Sequence, residues 1–263
     1  MSDQINNITI IGAGNAATNL ALAFRKAGKS IICVYNRHAD KAKILADKVG
    51  APYTNALNNL PEKSDLYLIA VSDEAITDVL SQLSGISGIL AHTSGSTDMA
   101  VFKNLTTDYG VIYPLMHLSS KSPMDFTDIP VCVEACNPAT YNSIFELAAA
   151  LSNKVYPVNS AQRQILHLSA VFASNFTNLN YVISEEILRK HDLSFEIMHP
   201  IIIESAKKAM NASPAKLQTG PAVREDINVL KKHTALLNEF PKYQEMYKLL
   251  TEIIIQKKKN NEL

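Results

Sequence analysis

The stretch Thr9–Phe24, TIIGAGNAATNLALAF, sets two glycines one residue apart between a run of isoleucines and a helix-forming segment. Only 9 glycines occur in all 263 residues, so their clustering here constrains the fold more than any other feature. A strand, a tight turn and a helix in this order build a cradle for an anion, because the first N–H groups of the helix have no intrahelical partner. Gly12 permits the turn, Gly14 lets the backbone approach a diphosphate, and the small Ala17 lets the helix pack close to the strand. The residues Gly12-Ala13-Gly14-Asn15-Ala16-Ala17 follow the G-x-G-x-x-A pattern of a dinucleotide-binding turn, with Asn15 and Ala16 at the phosphate-facing start of the helix. A packing turn without a ligand is the alternative. The strand before the turn, the helix after it and the second strand beyond favour the ligand.

From Ile8 to about Val158 the same alternation continues: ITIIGAG, SIICVYN, DLYLIAV, GILAHTSG, GVIYPL, IPVCVEA and KVYPV are short apolar runs separated by helix-period segments. This pattern predicts an α/β domain with a Rossmann-type, mostly parallel sheet. Asn137 as N-cap and Pro138 at the first helical position predict a helix start. After about Asn159 the strand runs stop. SAQRQILHLSAVFASNFTNLNYVISEEILRK reads as one helix of about 30 residues. Pro200 kinks or splits the element after it, and Pro241 starts the last helix. The chain therefore divides into residues 1–158, a nucleotide-binding domain, and 159–263, an all-helical domain for substrate binding and dimerisation.

The end of the second strand selects the coenzyme. An acidic residue there would hydrogen-bond the adenosine 2′-hydroxyl of NAD, but CVYNRHADK offers Asn36 and Arg37. A guanidinium grips a 2′-phosphate with two parallel charge-assisted bonds, so NADP(H) is the expected coenzyme, with a solvated loop charge as the other reading of Arg37. Ligands of open α/β sheets lie beyond the carboxyl ends of the strands, which places Val71, Ser72, His92 and Ser94 among the coenzyme contacts. Ser72 and Asp73 also fit the start of the following helix, where capping is the expected task of Asp73.

The 25 basic and 25 acidic side chains cancel, which argues against nucleic acid or an anionic membrane as a partner. The start MSDQINNIT has neither a basic nor an apolar signal region, and no apolar run approaches a membrane span, so a cytoplasmic location is expected. Cys33, Cys132 and Cys136 lack metal-ligand spacing and read as buried free thiols. No metal is expected.

The glycine turn, the NR after the second strand and the AV.D.AI segment at 70–76 together resemble the NADP-binding domains of the pyrroline-5-carboxylate reductase and F420-dependent NADP oxidoreductase type. The remainder resembles the helical domain of unknown function found in Rossmann-like NADP oxidoreductases, a domain similar to the C-terminal domain of 6-phosphogluconate dehydrogenase. That likeness rests on H.....ASN, meaning His167 with Asn175, and on TGP..R.D......H, meaning Thr219, Gly220, Pro221, Arg224, Asp226 and His233. The resemblance implies an NADP-dependent oxidoreductase, by analogy a homodimer. Two departures matter. The Ser/Thr-rich helical signature of pyrroline-5-carboxylate reductase is missing near 220, and Val171 stands where the Lys-x-x-x-Asn pair of 3-hydroxyacid dehydrogenases has its lysine.

On the long helix His167, Ser174 and Asn178 fall within roughly 20° of one line at about 100° per residue. Reduction of a carbonyl or imine requires a proton, and a histidine suits its delivery. His167 is the candidate acid or base, Asn175 would orient the substrate, Ser94 would contact the reacting end, and Arg224 would bind a substrate carboxylate. A hydrogen-bonded core or dimer seam is the other reading of the stripe, and Arg224 and Asp226 also fit a turn at a helix start. His233 reads as structural. The expected activity is the NADP(H)-dependent reduction of a small polar carbonyl or imine in an interdomain cleft. A nucleotide-holding sensor or scaffold is the alternative.

Overall fold

A computed structural model describes residues 4–263. Eight strands among these residues form one sheet: β1 (Asn7–Ile11), β2 (Ser30–Tyr35), β3 (Tyr53–Thr54), β4 (Lys63–Ile69), β5 (Ser87–His92), β6 (Tyr109–Pro114), β7 (Val131–Ala135) and β8 (Val155–Pro157). Their order is β3-β2-β1-β4-β5-β6-β7-β8. Seven coincide with the apolar runs read from the sequence. The two-residue β3 is too short to show a period. All neighbours are parallel except β6 and β7, which are joined by a loop over 115–130 that carries no helix. A parallel return needs a crossover, usually helical, so the pair runs antiparallel.

Helices α1 (Asn15–Lys26), α2 (Ala39–Val49), α3 (Asp73–Gln82) and α4 (Pro138–Ala149) connect the strands. They cover the sheet on both faces, which is why its strands are near-continuously apolar. Ile8, Ile10, Leu20, Phe24 and Ile144 belong to one core, and Ile11, Tyr67, Ile69, Ile76 and Phe102 to the other. Asn137 caps α4 through its side chain, which accepts from the Thr140 N–H. The chain runs outward from β1 to β3, then crosses back to β4 on the other side of β1. That reversal opens a crevice at the carboxyl ends of β1 and β4, where such sheets bind ligands.

Beyond β8 the chain is helical. Helix α5 (Ser160–Ala170) passes into a π-helical segment, Val171–Phe176, and then into α6 (Thr177–Lys190). The expected helix over 160–190 is thus one run with a π segment inside it. A π turn closes i→i+5 bonds and rotates the chain less per residue. Ser174 and Asn178 therefore do not continue the line drawn from His167 at 100° per residue, a correction to the expected stripe. Pro200 splits the next element, lying in the first turn of α7 (His199–Asn211) after a short 3₁₀ turn, Phe195–Met198. The helices α8 (Pro214–Leu217), α9 (Pro221–Arg224), α10 (Ile227–Leu236) and α11 (Pro241–Lys259) complete the chain.

Two compact units result, one ending at Asn175 and the other spanning Phe176–Leu263. The sheet ends near 158, but α5 belongs to the first unit because Arg163, completely buried, anchors it there. In the second unit Nδ1 of His233 and the Tyr247 hydroxyl are hydrogen-bonded at 2.9 Å, Tyr243 is bonded to Glu186, and Asp226 caps α10 through the Val229 N–H.

Candidate active site

The glycine turn builds the first half of the site. Gly12 sits at φ 126°, in the region that favours glycine, and a Cβ there would lie 2.3 Å from the Ala70 carbonyl oxygen. Gly14, the N-cap of α1, has φ −83°, and a Cβ built on it meets no protein atom within 4 Å. Its missing side chain faces open space, and no acidic residue occupies the first turn of the helix. The positive end of α1 thus faces a space that a diphosphate fits.

A cavity of about 220 Å³ runs from this turn past the ends of β2 and β4, lined by Gly14, Arg37, His38, Lys41, Val71 and Ser72 among others. Asn36 shapes its basic end by accepting the His38 N–H at 2.9 Å. Ser72 is the N-cap of α3, yet its hydroxyl makes no cap bond and is left to the cavity. A larger cavity of about 730 Å³ lies at the opposite ends of the strands, where Asp65 and Asp108 are already held by nearby donors. The convergent basic groups belong to the smaller one.

The second half lies at the ends of β5 and β6 and on α5. His167 Nδ1 and the Tyr113 hydroxyl are 3.1 Å apart, and the two rings meet edge to face. Burial raises the Tyr113 pKa above the ordinary phenol value, so at neutral pH its hydroxyl keeps its proton. Gly95 packs beneath both rings, since a Cβ there would come within 2.8 Å of His167 and 2.9 Å of Tyr113. Beside them the exposed Ser96 hydroxyl donates to the Asp73 carboxylate, and Gln164 donates to the Ser96 carbonyl at 3.0 Å.

The chain matches known sequences and structures. Residues 7–92 match the family described as NADP oxidoreductase coenzyme F420-dependent, and residues 129–254 match a domain of unknown function, DUF2520. The structure of "putative NADP oxidoreductase BF3122" from Bacteroides fragilis is 38% identical to the chain, covers 96% of it and 98% of its own length, and superposes with a TM-score of 0.91. The chain belongs to this NADP oxidoreductase family. An imine reductase from Myxococcus stipitatus, in complex with NADP+, shares the fold at 18% identity, with 97% of this chain and 94% of that one covered and a TM-score of 0.70. So does a pyrroline-5-carboxylate reductase from Coxiella burnetii, at 19% identity, 98% coverage of both chains and a TM-score of 0.56. No protein of curated function matches the sequence.

Within this NADP oxidoreductase, the residues read from the sequence take distinct places. Gly12, Gly14, Asn36, Arg37, Val71 and Ser72 line one cavity. Asn15 turns its side-chain oxygen to the Ser120 N–H at 2.9 Å, which ties the 115–130 loop to the start of α1, and Ala16 follows it on the helix. His92 does not reach the rim. It is fully buried, stacks on Phe102, and accepts the Ser94 N–H on Nδ1, while burial pushes its pKa down to about 4. Ser94 is buried too, and its hydroxyl oxygen accepts the N–H groups of Ser96 and Thr97. It shapes the loop that presents Gly95 and Ser96.

Asn175 is exposed on the π segment, and Arg224 is exposed at the end of α9. Asp73, read as a cap, spends its carboxylate on Ser96 instead. Lys41, His38 and Tyr113 are additional. Lys41 stands in the first turn of the helix that follows Arg37, and Tyr113 precedes Pro114 at a strand end, so both carried a weak positional signal. The cysteines form no disulfide, with Cys33 and Cys132 buried. No metal-binding cluster and no helix long and apolar enough to cross a membrane occur among the described residues.

Proposed function

We propose that the protein is an NADP(H)-dependent reductase of a small polar carbonyl or imine, with His167 as the group that delivers the proton. The coenzyme fits the residues present. Gly14 and the start of α1 would take the diphosphate, and Arg37 with Lys41 and His38 would take the 2′-phosphate that distinguishes NADPH from NADH. When bound, the reduced nicotinamide supplies the hydride.

The observation that carries the reading is the Tyr113–His167 pair over Gly95, at the same strand-end rim as the nucleotide cradle. A neutral Tyr113 hydroxyl donating to Nδ1 leaves the proton on Nε2; as that proton passes to the oxygen or nitrogen that receives charge from the hydride, Nδ1 takes the Tyr113 proton and the ring stays neutral, and water then restores the proton to Tyr113. Asn175, two helical turns on from His167, is our candidate for orienting the substrate. The three unpaired cysteines fit a reducing compartment, in keeping with a cytoplasmic enzyme. We also assign a second copy of the chain as partner. Ile197, Ile201, Met210 and Leu236 of the second unit are each at least three-fifths exposed, and large apolar side chains so exposed are what a second copy would cover. Sedimentation should show a dimer at micromolar concentration, and a monomer there would remove the partner from the reading.

The test of activity is NADPH oxidation by the full chain with a panel of 2-oxo acids, aldehydes and cyclic imines. Turnover with at least one class is expected, falling by about 10²–10⁴-fold in kcat for His167→Ala while NADPH binding persists. NADPH binding without turnover on any member of the panel would replace the reductase reading with that of a nucleotide sensor.

A further inference from the structure

Arg163 is the largest fully buried side chain among the described residues. Its Nη1 pairs with the Glu134 carboxylate at 2.5 Å, Nη2 donates to the Thr97 carbonyl at 2.5 Å and to the Ser160 hydroxyl at 3.2 Å, and Nε donates to the Ser94 carbonyl at 3.1 Å. Glu134, on β7, also accepts the backbone N–H and the hydroxyl of Ser160, the first residue of α5. The Ser160 oxygen in turn accepts the Met99 N–H at 3.0 Å. Three pieces of chain distant in sequence, β7, the 94–99 loop and the first turn of α5, are thus held through one guanidinium.

Burying an ion pair is not a source of stability in itself, since well-packed apolar residues of similar volume often serve as well or better. What the planar guanidinium supplies is geometry, because its donors leave in fixed directions and together meet acceptors on three elements, β7, the 94–99 loop and the first turn of α5. Two of those acceptors, Ser94 and Thr97, bracket Gly95 and Ser96. Arg163 also lies one turn before His167 on the same face of a regular helix. The fork therefore sets both sides of one contact: the Gly95 backbone beneath the ring, where there is no room for a Cβ, and the stretch of α5 that carries the ring.

We infer that Arg163, with Glu134 as its counter-ion, is a positioning residue that locks the His167 ring against Tyr113 in one tautomer and orientation. The inference rests on the proposed role of His167 for its meaning in catalysis, but not for its structural content. Gln164, donating to the Ser96 carbonyl from the next position on α5, is a weaker member of the same clamp. Arg163 touches neither substrate nor coenzyme in this scheme and acts only through His167.

The experiment is a histidine-selective long-range ¹H–¹⁵N spectrum of the full chain, with His167 assigned by His167→Gln. Wild type should show His167 as a single tautomer with Nδ1 unprotonated. Arg163→Lys, which keeps the charge but loses the fork, should move the signals toward the tautomer mixture expected of Tyr113→Phe, and combining the two substitutions should add nothing. Unchanged His167 signals in Arg163→Lys would overturn the inference. If that variant does not fold, Gln164→Ala is read the same way, with a partial shift expected and no shift overturning it.

With a substrate from the panel, Arg163→Lys should lower kcat by about 100-fold, the effect of misplacing a reacting group by about 1 Å. Its NADPH dissociation constant should stay within about twofold of wild type. In a His167→Ala background it should cost nothing more. Additive losses there, or a parallel loss of coenzyme affinity, would show a general structural role instead. A tautomer that depends on Arg163, together with full turnover in His167→Ala, would leave the clamp standing and remove the proposed function.

Discussion

Replacing Gly14 by alanine separates ligand from scaffold. Its φ of −83° is open to any residue, and the added methyl meets no protein atom within 4 Å, so the folded protein gains neither backbone strain nor a clash. Alanine is a poorer N-cap than glycine by roughly 0.5–1 kcal/mol, but the unfolded chain becomes less flexible by about 0.4–1 kcal/mol, and the two offset. Stability should change by less than about 1 kcal/mol. The methyl occupies the space assigned to the coenzyme diphosphate, where crowding of a fitted contact costs about 1–3 kcal/mol, or roughly 5- to 150-fold in affinity. Gly12→Ala is the control with opposite cause. Its φ of 126° and the 2.3 Å approach to the Ala70 carbonyl oxygen predict a loss of stability of about 3 kcal/mol or more, from strain and overpacking together. Calorimetric titration with NADPH and urea unfolding on both variants provide the measurement. Wild-type NADPH affinity in a folded Gly14→Ala would refute the cradle.

Arg37→Ala combined with Lys41→Ala should weaken NADPH binding by about 10- to 100-fold and NADH binding by less than about threefold, in calorimetry at fixed salt, because charge-assisted contacts to a 2′-phosphate are worth about 1.5–3 kcal/mol. Equal losses for both coenzymes would place the phosphate elsewhere. His92 predicts a pH dependence of stability. Its folded pKa, about 4, lies below the unfolded value of 6.5, so the unfolded chain binds the proton first. The contribution is complete above pH 6.5 and fades as the pH falls toward 4, by about 3 kcal/mol in all. Urea unfolding across that range should show the decline in wild type and a flatter profile in His92→Asn; equal slopes would assign the decline to other groups.

The glycine turn, seven of the eight strands and the Asn137–Pro138 helix start were legible because each depends on neighbours in sequence: a side chain too large for a turn, a short continuous apolar run buried on both faces, a cap within three residues of its donor. His92 and Ser94 show where that legibility stops. Their types and strand-end position suit contact with a ligand, yet tertiary packing buries both and turns His92 Nδ1 and the Ser94 hydroxyl to the loop backbone. The His167 stripe failed for a related reason. A π segment depends on how the helix must pack, and a fixed angle per residue does not foresee it.

Residues 9–24 by themselves determined that a strand, a tight turn and a helix would leave bare backbone facing an anion, since sterics local to Gly12 and Gly14 permit little else. Which groups surround that backbone was decided only by the fold. Tyr113 meets His167, and Arg163 meets Glu134, Ser94 and Thr97, across separations in sequence that no periodic pattern spans. Such pairs form because a buried donor must find an acceptor wherever the packed chain brings one, and that place exists only once the sheet and α5 have come together.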